Sequence, residues 1–127
     1  VLHIRSQMKV YISNYSRYKG SRGVQISRSK PEWASVYKAI PQLFPTYDLI
    51  KSIKDTDNLS EDDPVRKSIE ENYVTEYTLQ LNRNKENILR QLRDGDVLLC
   101  WCGVGKFCHR YIVQLWLQMY DIECEEC

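Results

Sequence analysis

A chain of 127 residues, 43% hydrophobic and 28% charged, has the makeup of one globular α/β-sized domain with enough apolar side chains for a core. No apolar run approaches the roughly 18 residues a membrane span requires, and the first residues lack the apolar centre of a secretory signal. The net charge of +1 hides an uneven spread: residues 1–31 hold Arg5, Lys9, Arg17, Lys19, Arg22, Arg28 and Lys30 and no acid, while the remainder carries eleven basic and seventeen acidic residues.

Val1–Gln7 is read as lying ahead of a natural start at Met8, and His3 is given no role. Met8–Ser13 alternates Val10 and Ile12 with Lys9 and Tyr11, the pattern of a first strand. Asn14–Gly23 is a loop, and Gly23–Ser27 a short second strand. Pro31–Trp33 opens a turn or short helix reaching about Ile40, and Tyr47–Lys54 predicts a short helix. Asp63-Pro64 is a helix start, with Asp63 as cap and Pro64 at the first helical position. Val65, Ile69, Tyr73, Tyr77 and Leu81 then recur every four residues as one buried helix face. Asn82–Asn84 breaks that helix. A second carries Ile88, Leu89 and Leu92 and ends at Asp94-Gly95-Asp96.

Val97–Cys102 is apolar at every position, as expected of a central parallel strand covered on both faces. A loop over Gly103–Phe107 leads to a helix over Cys108–Tyr120, whose polar positions Arg110, Gln114 and Gln118 form a narrow stripe; the remaining circumference is expected to be covered. Trp101 and Trp116 fit the core. Asp121–Glu126 closes the chain as a strand. Strand, helix and strand within so short a span make a βαβ unit, so the fold class is α/β with a mainly parallel sheet.

Gly103–Arg110 sits between a buried strand and a helix N-terminus, where unpartnered amides and the helix dipole favour an anion. Gly103 and Gly105 permit close backbone approach, and Lys106 and Arg110 supply cations, Arg110 with a fork suited to phosphate. If the first strand and Val97–Cys102 are parallel neighbours, Ser13, Tyr15 and Arg17 open onto the same crevice, with Tyr15 placed to stack on a base. The glycine pattern is neither a Walker loop nor a dinucleotide fingerprint. Three readings follow: a domain binding phosphate, nucleotide or nucleic acid; an enzyme of the same pocket using Cys108 as a nucleophile of lowered pKa and His109 as a base; and a protein-interaction module whose basic N-terminal arm docks an acidic partner. That arm is equally compatible with solvated loop charges.

Cys100, Cys102, Cys108 and His109 have zinc-ligand chemistry, and the two strand cysteines share a face. Their spacing matches no common zinc knuckle, so no metal or other cofactor is expected. Cys124–Cys127 has Cys-x-x-Cys spacing without the helix N-terminus that redox motifs use. With five cysteines and no secreted framework, reduced thiols in a cytoplasmic setting are expected.

The Leu-Leu-Cys strand ending at Cys100, the variable loop and Cys108-His109-Arg110 opening a helix resemble the signature of the YeaO-like uncharacterised family (DUF488). Tyr73–Leu81, Ile88–Gly95, Leu115–Leu117 and Ile122–Glu126 fit the flanking elements, so the resemblance covers about residues 65–126. It implies a three-layer αβα sandwich and no settled activity. Many members have Glu two positions after the first strand cysteine, where this chain has Cys102.

Overall fold

The structure, a computed structural model, describes residues 8–103 and 105–127; the expectations for Val1–Gln7, Arg5 of the basic arm included, and for Val104 lie outside them. The described residues form an α/β fold around a five-stranded, all-parallel sheet. In chain order the elements are β1 (Lys9–Asn14), β2 (Gly23–Gln25), β3 (Lys38–Ala39), a 3-10 turn (Pro41–Leu43), α1 (Tyr47–Lys54), α2 (Pro64–Arg83), α3 (Lys85–Gln91), β4 (Val97–Cys100), α4 (His109–Met119) and β5 (Glu123–Glu126). The strand order is β3-β2-β4-β1-β5.

Helix boundaries follow local chemistry. The Thr46 hydroxyl accepts from the Leu49 amide at the start of α1, and the Asp63 carboxylate accepts from Val65 at the start of α2, with Pro64 where no amide hydrogen is needed. The α2–α3 break falls at Asn84, whose side-chain amide donates back to the Gln80 carbonyl. Gly95 takes φ +86°, the left-handed turn that feeds β4. Pro31–Ile40, expected to open with a turn or short helix, is a turn followed by the short strand β3. Trp33, Val36, Tyr37 and Ile40 stand at helical spacing, but the Tyr37 and Ile40 amides are taken by the sheet, donating to the carbonyls of Gly23 and Gln25.

The direction of travel along the sheet decides what covers each face. From β1 to β2 to β3 the chain moves toward one edge; from β3 to β4 and from β4 to β5 it moves back. With crossovers of a single hand, the two directions place their connections on opposite faces. The helical residues Leu49, Tyr77, Leu81, Ile88, Val113 and Leu117 all pack in one cluster with Val10, Ile12, Val24, Leu98 and Cys100 of the sheet. Each such buried aliphatic side chain contributes on the order of 1.5–3 kcal/mol. The other face is covered by coil: Tyr15, Tyr18, Ala34 and Val36 pack on Val97 and Leu99. Thus β4 is buried on both sides, as its unbroken apolar run implies, but one covering layer is loop where the resemblance leads one to expect helices.

Two further expectations are corrected. Trp101 lies just past β4 and is 54% exposed, while Trp116 is buried. On α4, the apolar Leu115 and Met119 are exposed, while Arg110 is fully buried, Gln114 is half-buried, and Gln114 and the exposed Gln118 both donate to the Cys124 carbonyl. At the amino end of β4, Asp96 is also fully buried. It accepts from Arg22 Nη2 at 3.0 Å, Lys38 Nζ at 2.9 Å, the Arg93 amide and the Tyr37 hydroxyl, pinning the coil layer to the sheet.

Candidate functional site

The connections after β2 and β4 leave toward opposite faces, and a cavity of about 410 Å³ opens beside their carboxyl ends, where open α/β sheets take ligands. Ile50 and Ile53 of α1, Tyr73 of α2 and Phe107 form an apolar floor. Phe107 is held edge-on to Tyr73, with centroids 5.3 Å apart. Trp101 forms a wall, fixed by its indole N–H donating to the Ser29 carbonyl at 2.8 Å and by the edge of Tyr15 at 5.7 Å. Two exposed cations, Arg28 and Lys54, also line the cavity. Arg28 Nε donates to the Pro45 carbonyl at 2.7 Å, and its guanidinium lies 4.2 Å from the Tyr47 ring centroid. Neither cation forms an ion pair among the described residues.

Deeper in the same cavity lie Cys102, Cys108 and His109. Cys108 is the N-cap of α4 and makes no side-chain capping hydrogen bond; the Tyr111 amide of the first turn donates to the Cys108 carbonyl at 3.2 Å. His109 is buried against Tyr77, ring edge to ring face at 5.6 Å, and its Nε2 lies 2.8 Å from the Ile26 carbonyl oxygen. Burial holds its pKa below the usual histidine value, so the ring is neutral, with Nε2–H donating to that carbonyl and a lone pair left on Nδ1. This bond ties the start of α4 to the end of β2.

Cys100 Sγ and Cys108 Sγ lie 3.0 Å apart, and with Cys102 the three sulfurs fall within 4.8 Å of one another. The thiols do not share charge evenly. Hydrogen bonds from Cys102 and Cys108, joined by the Arg110 guanidinium, draw the Cys100 thiol down, while the Cys100 and Cys102 sulfurs together with burial push Cys108 up. A helix N-terminus beside Lys106 and Arg110 leads one to expect a lowered Cys108 thiol; the shift runs the other way, because hydrogen bonds to the Cys100 and Cys102 sulfurs and burial favour the protonated form.

Arg110 does not face the cavity. Its Nη1 donates to Cys100 Sγ at 2.9 Å and the Cys102 carbonyl at 2.7 Å; its Nη2 donates to the Gly103 carbonyl at 3.1 Å, the Tyr111 hydroxyl at 3.0 Å and Glu126 at 3.2 Å. Burial opposes the charge, and the adjacent Cys100 sulfur and Glu126 carboxylate raise the pKa above its ordinary value nonetheless. The residue expected to grip phosphate is therefore a brace for the β4–α4 loop. The loop backbone is likewise occupied. Gly105, at φ +79°, donates its amide to the Tyr111 hydroxyl, and Gly103 accepts from Lys106. Lys106 is exposed and outside the cavity lining.

The first-strand residues are elsewhere too. β1 and β4 are parallel neighbours as expected, with Ser13 opposite Leu99, yet the cavity opens beside β2 and β4. Ser13 donates to the Cys127 carbonyl. Tyr15 is buried with its hydroxyl 2.6 Å from Ser27 Oγ, and burial pushes its phenol up to about 12. Arg17 is exposed, its amide bound to Asn14. Part of the basic arm is consumed internally: Lys9 pairs with Glu125, Arg22 with Asp96, and Lys30 with the Ala34 carbonyl, while Arg17, Lys19 and Arg28 are exposed and form no ion pair among the described residues. Sequence reading passed over Lys54 and the wall position of Trp101. Their only signals are a cation at a helix end and a tryptophan leaving a strand, and neither type is diagnostic alone.

The chain matches no protein-family model, no curated protein and no solved structure. Among the described residues, no helix is long and apolar enough to cross a membrane.

Proposed function

We propose that the crevice beyond β2 and β4 binds a small organic anion with a flat, apolar portion, a nucleotide-like molecule. The observation that carries this is the pairing, in one cavity of about 410 Å³, of an exposed tryptophan face with two cations that lack carboxylate partners among the described residues. A volume of that order suits a mononucleotide-sized guest rather than a polymer. Trp101 would stack on the flat ring. Arg28 and Lys54 would hold the anionic group. Reassigning the cations from Lys106 and Arg110 to Arg28 and Lys54 keeps the anion-binding reading while moving its residues.

Indole fluorescence titrated with nucleoside monophosphates tests the reading. Quenching that saturates, and that Arg28→Glu weakens about tenfold, roughly 1.4 kcal/mol, supports it. Absence of saturable quenching, or quenching indifferent to Arg28→Glu and Lys54→Glu together, overturns it. A nucleophilic role for Cys108 has less support, since its thiol is buried and held protonated by its sulfur neighbours. The basic-arm docking module has less support as well, because Arg22, Lys9 and Lys30 already have internal partners.

A further inference from the structure

We infer that Cys100, Cys102 and Cys108 form a binding site for a single thiophilic metal ion, zinc(II). Three sulfurs bound to one tetrahedral zinc sit about 2.3 Å from the ion and so about 3.8 Å from one another. Here all three already lie within 4.8 Å, brought together from the end of β4, the loop beyond it and the cap of α4. Sulfur shifts of an ångström or less convert the cluster into a coordination shell.

Two further observations point to an ion rather than to three incidental thiols. The first is His109. Its Nε2–H is committed to the Ile26 carbonyl at 2.8 Å, which leaves the Nδ1 lone pair on the cluster side, 3.7 Å from Cys108 Sγ. A backbone carbonyl fixing one ring nitrogen so that the other presents a lone pair is the usual outer support of a metal-binding histidine. The second is Arg110, whose Nη1 donates to Cys100 Sγ at 2.9 Å from the side away from the cavity. Zinc with three thiolates carries a net charge of −1, and a guanidinium hydrogen-bonded to one sulfur offsets it. Soft thiolate donors select zinc over magnesium or calcium. Cys102, Cys108 and His109 line the cavity, so the fourth coordination position lies on that side, with His109 Nδ1 as a protein donor within reach. On binding, the thiol protons leave to solvent and no electrons are transferred.

The test is anaerobic titration of the reduced 127-residue chain with cobalt(II), then displacement by zinc(II). We expect one ion per chain, with the intense ligand-field bands of a tetrahedral site and sulfur-to-cobalt charge transfer, both erased by zinc. Cys102→Ser, the least buried change, should weaken binding at least about a hundredfold, beyond the loss typical of an outer-shell residue. Cys108→Ser should do the same, with far-ultraviolet circular dichroism reporting that each variant is folded. Cys124→Ser with Cys127→Ser should leave the spectrum unchanged. Three titratable thiols with no cobalt bands overturn the site; so do bands that persist in Cys102→Ser but vanish in the Cys124/Cys127 variant. A Cys100–Cys108 disulfide in air-exposed protein overturns it only if the reduced protein also fails to bind. Arg28→Glu leaves every sulfur in place, so failure of the anion reading and failure of the metal site are separable.

Discussion

Two cationic regions stand at opposite ends of the β4–α4 connection's surroundings, and they differ in what their charges touch. Arg110 is fully buried and donates to two carbonyls, a sulfur, a phenol and a carboxylate. Arg28 and Lys54 are exposed around an apolar cavity, without carboxylates of their own among the described residues. A guanidinium whose two terminal nitrogens are met by the protein acts on the shape of a loop. A cation held over a greasy concavity is available to a guest. Position after a strand and before a helix does not distinguish the two; the acceptors within reach do.

The sharpest way to break this contrast is Arg110→Ala. It strips donors from the Cys102 and Gly103 carbonyls and leaves Glu126 without its cation, so we expect a loss of about 3–5 kcal/mol in denaturant unfolding. A loss below about 1 kcal/mol would mean that the loop holds its shape without the brace. Trp101→Ala probes the other region. It should cost about 1–3 kcal/mol in nucleotide affinity, by calorimetry, with a smaller effect on stability. If affinity is unchanged, the exposed indole is no platform.

The Glu126 carboxyl is held below its ordinary 4.5, first by the Tyr111 hydroxyl and then by Arg110. Its contribution to stability is complete above pH 4.5 and is lost as pH falls through the lower folded-state value. Glu126→Gln should therefore flatten the acid limb of the stability profile by under about 1 kcal/mol, since the carboxylate is partly solvated. An unchanged acid limb would detach Glu126 from the brace. The smallest effect is expected for Lys106→Ala. It should fall within about 0.5 kcal/mol in stability and leave nucleotide affinity untouched, because Lys106 lies outside the cavity lining.

What the sequence discloses here is what near neighbours decide. The Asp63-Pro64 start of α2, the short helix Tyr47–Lys54 and a doubly buried strand from Val97 follow from capping, spacing and unbroken hydrophobicity and are present, although the strand expected over Val97–Cys102 ends at Cys100. The inward turn of Arg110 escaped notice because its partners include Glu126, a residue of the closing strand that comes near only once β5 pairs with β1. The cavity joins Arg28, Lys54 and Trp101 from three separate connections, so no local pattern marks it. Cys100 and Cys102 share a strand face in the sequence. Cys108 joins them only because the loop doubles back, a path that spacing rules for zinc knuckles do not encode.

The coil roof over one face of the sheet sets how the molecule breathes. The helices bring their own ladders of hydrogen bonds to one side, whereas the coil segments Tyr15–Arg22 and Arg28–Tyr37 on either side of β2 rest on scattered contacts and on the side chains gathered by Asp96. Amide hydrogen exchange should find those coil segments opening at a lower free energy than α2 or β4. A protease given time would cut there first, with the helical half still folded.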